Sequence, residues 1–304
     1  MGKILILLLV SCFGLVGLNA QEVALTFDDG PKLVETPLLS PAERNQAILD
    51  TLAKHHLKAA LFVTAANGAI KPEGLALARA WGAAGHLVGN HTMTHPDLNS
   101  SKETLAAYEQ EILDCDALIR NLPGYGKYFR FTFLREGNTP EKRDGIHAFL
   151  KERGYRNAYV TLDTSDWRLD QKLVEVLTKN PEADLEPIRA VYLEHLLQRA
   201  GAYRDLSRKL LGRDIPQVML LHHNLLEALF LDSAIARMQQ DGWHFVDPRK
   251  AYEDPVYQLQ PDRPVPGQSL LLSLARSRGM DLKPYARLMD DGDFEIGELE
   301  KKGY

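Results

Sequence analysis

Val23-Ala24-Leu25-Thr26-Phe27 runs directly into Asp28-Asp29-Gly30-Pro31. A short β-prone run thus ends on two adjacent carboxylates and a turn built by Gly and Pro. The same pattern of a short β-rich run ending in a polar loop recurs at residues 60–64, 86–89, 128–133, 158–162, 218–221 and 243–246. Most of these runs are separated by stretches of helical periodicity, which predicts parallel strands joined by crossover helices, an α/β fold with about seven strands. The helix starts are marked. Ser40, Pro41 and Glu43 form an N-cap, a first-turn proline and a capping-box acid, Ser100 and Glu103 repeat the pattern, and Thr139-Pro140 opens a further helix that Gly154 is placed to end.

Two regions stand apart from this alternation. Between Trp167 and Gln217 the apolar positions Leu185, Ile188, Val191, Tyr192, Leu196 and Leu197 predict a helical insertion at about residues 168–216, either a wall over a cleft or plain packing. After Asp247 come Pro248, Pro255, Pro261, Pro264 and Pro266 and then a charged tail. Residues 251–304 are therefore expected to be an extended wrap with a loosely ordered terminus rather than a second domain.

Residues 1–20 differ again, with Lys3 before an apolar run and Asn19-Ala20 before Gln21. They read as a secretory signal peptide, with a retained membrane anchor as the alternative. Leu9-Val10-Ser11-Cys12 resembles a lipoprotein cleavage site but lies too early in the run. Export to the periplasm or medium follows, with no stable membrane insertion after cleavage. Loss of Cys12 with the signal leaves Cys115, which falls on the helical face of Leu105, Tyr108, Ile112 and Ile119 and reads as a packing thiol. Hydrophobic residues make up 45% and charged residues 25% of the chain, a globular mix. With 36 Lys+Arg against 41 Asp+Glu and no basic block, nucleic acid is excluded as an expected partner. Oligomeric state is left open.

The chemistry concentrates at strand ends. Asp28-Asp29 fits a solvated turn, but adjacent acids also fit a cation. His91-Thr92-Met93-Thr94-His95-Pro96 follows another strand, and its two histidines can aim at one point if the loop makes a helical turn. Asp29, His91 and His95 together form a three-ligand set that leaves a coordination position open, the pattern of a catalytic rather than a structural site. Asp28 is then free to act as a base on water. The donor types favour one divalent ion, Zn2+ by default, with Co2+ or Ni2+ accepted.

The pair TFDDGP (residues 26–31) and HTMTH (residues 91–95), in this order, resembles the first two motifs of the NodB-homology polysaccharide deacetylases, carbohydrate esterase family 4. The likeness runs from Val23 to about Val246. It implies a distorted, incomplete (β/α) barrel with its site at the C-terminal strand ends. It also implies metal-dependent removal of N-acetyl groups from an amino sugar in an acetylated glycan. Deformylation, O-deacetylation and an inactive glycan-binding scaffold are the alternatives. By the same resemblance, Arg130 orients Asp28 and the Phe133 N–H is an oxyanion donor, although Thr132 stands where the family has proline. Within Asp163-Thr164-Ser165-Asp166-Trp167, Asp166 supports the catalytic histidine. Trp167 lines the pocket or serves as a core aromatic, and Asp163 caps the strand end. Leu220-Leu221-His222 makes His222 the acid for the leaving amine, with His223 turned to the other face. The implied domains are a signal peptide at 1–20, a deacetylase domain at 21–250 and an extension at 251–304.

Overall fold

The computed structural model describes residues 21–262 and 267–304. The expected signal peptide, Cys12, Pro264 and Pro266 lie outside the described residues. Eight strands are found there: β1 (Gln21–Gly30), β2 (Ala60–Val63), β3 (Leu87–Asn90), β4 (Tyr125–Phe129), β5 (Arg156–Asn157), β6 (Leu162–Asp163), β7 (Gln217–His222) and β8 (Trp243–Phe245). All their pairings are parallel, in the order β5-β4-β3-β2-β1-β7-β6, with β8 beside the start of β1. The crossovers and flanks are α1 (Pro41–Lys54), α2 (Pro72–Ala83), α3 (Leu105–Ile119), α4 (Pro140–Glu152), α5 (Asp166–Lys179), α6 (Glu186–Leu211), α7 (Leu225–Gln240), α8 (Pro248–Ala251), α9 (Leu270–Ser277) and α10 (Asp293–Lys301).

β1 lies mid-sheet between β2 and β7, and Val23 to Asp28 are buried without a break. Burial on both faces is why this strand reads as a continuous run rather than alternating. The sheet curls into an incomplete (β/α) barrel, as expected. Its open side lies between the edge strands β5 and β6. The expected strand at 158–162 is reduced there to Leu162–Asp163, because residues 158–161 hand the chain across the gap. The Ala158 N–H donates to the Phe129 carbonyl at 2.7 Å on one side, and the Thr161 N–H donates to the Val218 carbonyl at 3.1 Å on the other.

The box at Ser40 forms as read, with Ser40 and Glu43 satisfying each other's backbone N–H groups. The box at Ser100 does not. Ser100 and Glu103 close a turn, and α3 begins later, where the Thr104 hydroxyl caps the Ala107 N–H. Thr139 caps α4, and Gly154 follows that helix at φ +73°. Cys115 is fully buried against Val63, a packing thiol as expected. The loosely ordered C-terminus expected from composition is not found. α9 and α10 carry Leu270, Leu271, Ile296 and Leu299 into the main core with Tyr192 and Val218, so apolar periodicity outweighs the prolines before it. No helix among the described residues is long and apolar enough to cross a membrane.

Candidate active site

In a regular strand Asp28 and Asp29 would point to opposite faces. The register of β1 against β2 instead shifts between Phe27 and Gly30, and Asp29 takes φ +66°. This bulge turns both carboxylates into one cavity. Gly30 lets β2 and the end of β7 pack close to this bulge, since a Cβ there would stand 2.5 Å from Leu61 Cδ1 and 3.0 Å from His223 Cβ.

The two histidines converge by a different route from the helical turn expected. Residues 91–97 form a loop in which Thr92 and His95 take φ +71° and +63°. Side chains replace the backbone bonds that such a loop lacks. The His95 N–H donates to the Thr92 hydroxyl at 3.0 Å, and Glu111 accepts from the Thr94 N–H and hydroxyl. His91 Nδ1–H donates to the Arg130 carbonyl at 2.8 Å, which leaves Nε2 with its lone pair facing Asp29 Oδ1 at 3.7 Å. His95 Nε2 lies 3.2 Å from the same oxygen.

The three ligand atoms lie within 4.8 Å of one another, and Asp29 Oδ1 is buried with no hydrogen bond reaching it. Burial lowers both imidazoles to about 4, His91 against the pull of Asp29, and His95 with the charge of His91 adding to the effect. Burial would raise the Asp29 carboxyl, but Lys32, His222 and the two imidazoles outweigh it, so Asp29 is held below the usual carboxylate range. Two neutral nitrogens and an anionic oxygen facing one another without a proton are a donor set fitted to a divalent cation.

Asp28 is buried beside them. Arg130 Nη1 donates to both its oxygens, at 3.1 and 3.2 Å. Burial raises the Asp28 carboxyl, and Arg130 and His222 offset only part of that rise. The remaining donors of Arg130 reach the Ala158 carbonyl, the Thr26 hydroxyl at 3.2 Å and the Tyr252 hydroxyl at 3.0 Å, so the guanidinium has little freedom to turn.

In the β1–β7 ladder Asp28 is the register partner of His222, which sets these two side by side. His222 Nδ1–H donates to Asp166 Oδ1 at 2.6 Å. Asp166 Oδ2 accepts from the His222 N–H and from the Asn224 amide, both at 2.9 Å. Burial opposes charge on His222, but the Asp166 carboxylate outweighs it and raises the imidazole to about 9. Asp166 is itself held down by His222 against its burial. His223 points the other way as expected, with Nε2 on Asn45 and Nδ1 on the Lys32 N–H.

Asp28, Asp29, His91, His95 and His222 line one cavity of about 500 Å³ together with Trp167 and Phe133. The Phe133 ring stands edge-on to His95 with centroids 4.5 Å apart. β4 ends at Phe129, earlier than expected, so Arg130 lies just past the strand, and Thr132–Leu134 form a tight 3-10 turn with Phe133 at φ +55°. Asp163 accepts from the Ser165 N–H, closing the loop before α5.

Several residues at the site carried no readable signal. Lys32, 3.1 Å from Asp29 Oδ2, was within reach of the first motif. Tyr252 and Asp291 come from the C-terminal region and required the tertiary fold. His195, which lies in no motif, is buried and donates to the Thr164 carbonyl next to Asp166, while its other nitrogen meets Glu295 of α10 at 3.0 Å.

Residues 16–157 match the polysaccharide deacetylase family. A peptidoglycan-N-acetylglucosamine deacetylase of Bacillus cereus is 30% identical over 203 residues, 66% of this chain and 64% of that protein. A chitooligosaccharide deacetylase of Sinorhizobium fredii is 40% identical over 104 residues, 34% of this chain and 42% of that protein. The chain therefore spans between about two fifths and two thirds of the length of these curated relatives. The crystal structure of a polysaccharide deacetylase from Bacillus cereus shares the fold with a TM-score of 0.53 at 24% identity, over 74% of this chain and 90% of that one.

Proposed function

The chain belongs to the polysaccharide deacetylase family of NodB homology, and on that premise we propose that it is a metal-dependent hydrolase removing N-acetyl groups from amino sugars of a polysaccharide or cell-wall glycan. The observation that carries this reading is the meeting, in one cavity, of the Asp29, His91 and His95 donor set with a buried Asp28–Arg130 pair and a charged His222–Asp166 pair. Asp29, His91 and His95 would hold one divalent ion, Zn2+ by ligand type and Co2+ or Ni2+ by the same chemistry. When bound, it makes water more acidic and polarises the amide carbonyl.

The other steps belong to the side chains. Asp28, aimed by Arg130, takes a proton as the water oxygen bonds to the acetyl carbon. The Phe133 N–H is the oxyanion donor in this scheme. His222, kept protonated by Asp166, gives its proton to the nitrogen as the carbon–nitrogen bond breaks, releasing acetate and a free amine. Trp167 offers an aromatic face to the sugar ring.

The relatives' names make peptidoglycan N-acetylglucosamine and chitooligosaccharides the first substrates to try. An exported protein acting in the periplasm or medium suits such substrates, as does the signal peptide read at residues 1–20. In this scheme residues 21–250 form the catalytic domain, α5 and α6 are its helical insertion, and residues 251–304 are an extension packed onto it. The test is acetate release from defined chitooligosaccharides and peptidoglycan fragments by zinc-loaded protein. Chelator-sensitive acetate supports the proposal. Formate would point to a deformylase, and glycan binding without any released acid to an inactive scaffold.

A further inference from the structure

Thr132 stands where the resemblance expects proline, and the structure gives that departure a purpose. Its side chain is fully buried. The Thr132 N–H donates to the Tyr108 hydroxyl at 3.4 Å. Tyr108 and the Thr132 hydroxyl are 2.9 Å apart, and the Thr132 hydroxyl donates to the carbonyl of Pro96, the residue after His95. With the threonine proton committed to Pro96, the tyrosine proton is the one shared between the hydroxyls. Proline at this position would have neither the N–H nor the hydroxyl, and both ends of the connection would vanish.

The point of attachment matters. His95 holds φ +63°, and such left-handed non-glycine geometry persists only where the surroundings over-determine it. The His95 loop is already tied at Thr92 and Thr94 by side chains on its N-terminal side. On the C-terminal side Arg135 pairs with Asp97, Thr132 ties the residue directly after His95, and the neighbouring Phe133 packs its ring against the imidazole.

We propose that Thr132, with Tyr108, is a positioning residue that locks the His95 loop in its ligating conformation, a role the residue types in this chain fill without the proline. Only the zinc readout of this inference rests on the metal-centre reading. The test compares Thr132→Ser, which keeps the N–H and hydroxyl, with the isosteric Thr132→Val and with Tyr108→Phe, after thermal melts establish that each is folded. In metal-free protein, hydrogen exchange over residues 92–97 should quicken about tenfold or more in Thr132→Val and stay near wild type in Thr132→Ser. Zinc affinity, measured by competition with a chromophoric chelator, should weaken about 10- to 100-fold in Thr132→Val, less in Tyr108→Phe, and recover in Thr132→Ser. Unchanged exchange and unchanged zinc affinity in a folded Thr132→Val would overturn the proposal. A wild type that binds no zinc would overturn the metal reading instead, and hydrogen exchange alone would then decide for or against the clamp.

Discussion

The cavity holds histidines in two opposite states. On the β3 side His91 and His95 are pushed down to about 4 and stay neutral, whereas on the β7 side His222 is raised to about 9 and stays charged. Burial opposes charge in all three. The difference lies in what Nδ1 meets: a backbone carbonyl for His91, a buried carboxylate for His222. One partner fixes the tautomer and leaves a lone pair for a cation; the other holds a proton ready to give. Residue type supplies the imidazole, and the second partner decides whether it is a ligand or an acid.

The largest effect should come from removing a ligand. His91→Ala is expected to abolish detectable zinc binding in a calorimetric titration and to reduce acetate release to background. His222→Ala should retain one zinc per chain in the same titration yet lose about 10²- to 10⁴-fold in kcat, the usual contribution of a positioned acid. Equal loss of zinc in both variants would erase the distinction between the two sides.

A subtler change moves one side towards the other. Asp166→Asn removes the charge that raises His222, so the alkaline limb of kcat should fall from near pH 9 towards about 6.5, the ordinary imidazole value. An unmoved limb would show that His222 is not the titrating acid. The smallest effect is on stability in metal-free protein. Because the folded value of His222 lies above the unfolded one, its contribution is complete below about pH 6.5 and is lost as pH rises through about 9. Asp166, held low, contributes above its ordinary range near 3.8 and loses that contribution as pH falls through its depressed folded value. The stability advantage of wild type over His222→Gln, on the order of 3 kcal/mol for the imidazole, should therefore be greatest between about pH 4 and 6.5 and fade towards pH 9 in urea titrations.

Much of this site was legible because its side chains sit at strand ends inside short motifs. Asp28, Asp29, His91, His95, Arg130, Asp166 and His222 all reach one region of the fold. What the motifs do not encode is conformation. Strand alternation would separate Asp28 from Asp29, and only the bulge against β2 unites them. The histidine loop converges through left-handed residues rather than a helical turn. The partners that lock the site come from far along the chain: Tyr108 for Thr132, Tyr252 for Arg130, Glu295 for His195. Their hydroxyls and carboxylates have no periodicity to betray them. The C-terminal segment misled by composition, since its prolines precede amphipathic helices whose leucines complete the core.

Anomalous diffraction at the zinc edge from crystals of the zinc-loaded protein tests the centre of this scheme most directly. One peak is expected about 2.0–2.2 Å from a carboxylate oxygen of Asp29 and from Nε2 of both His91 and His95, with His222 outside its coordination sphere. A strong peak elsewhere, or none between these three side chains, would contradict it.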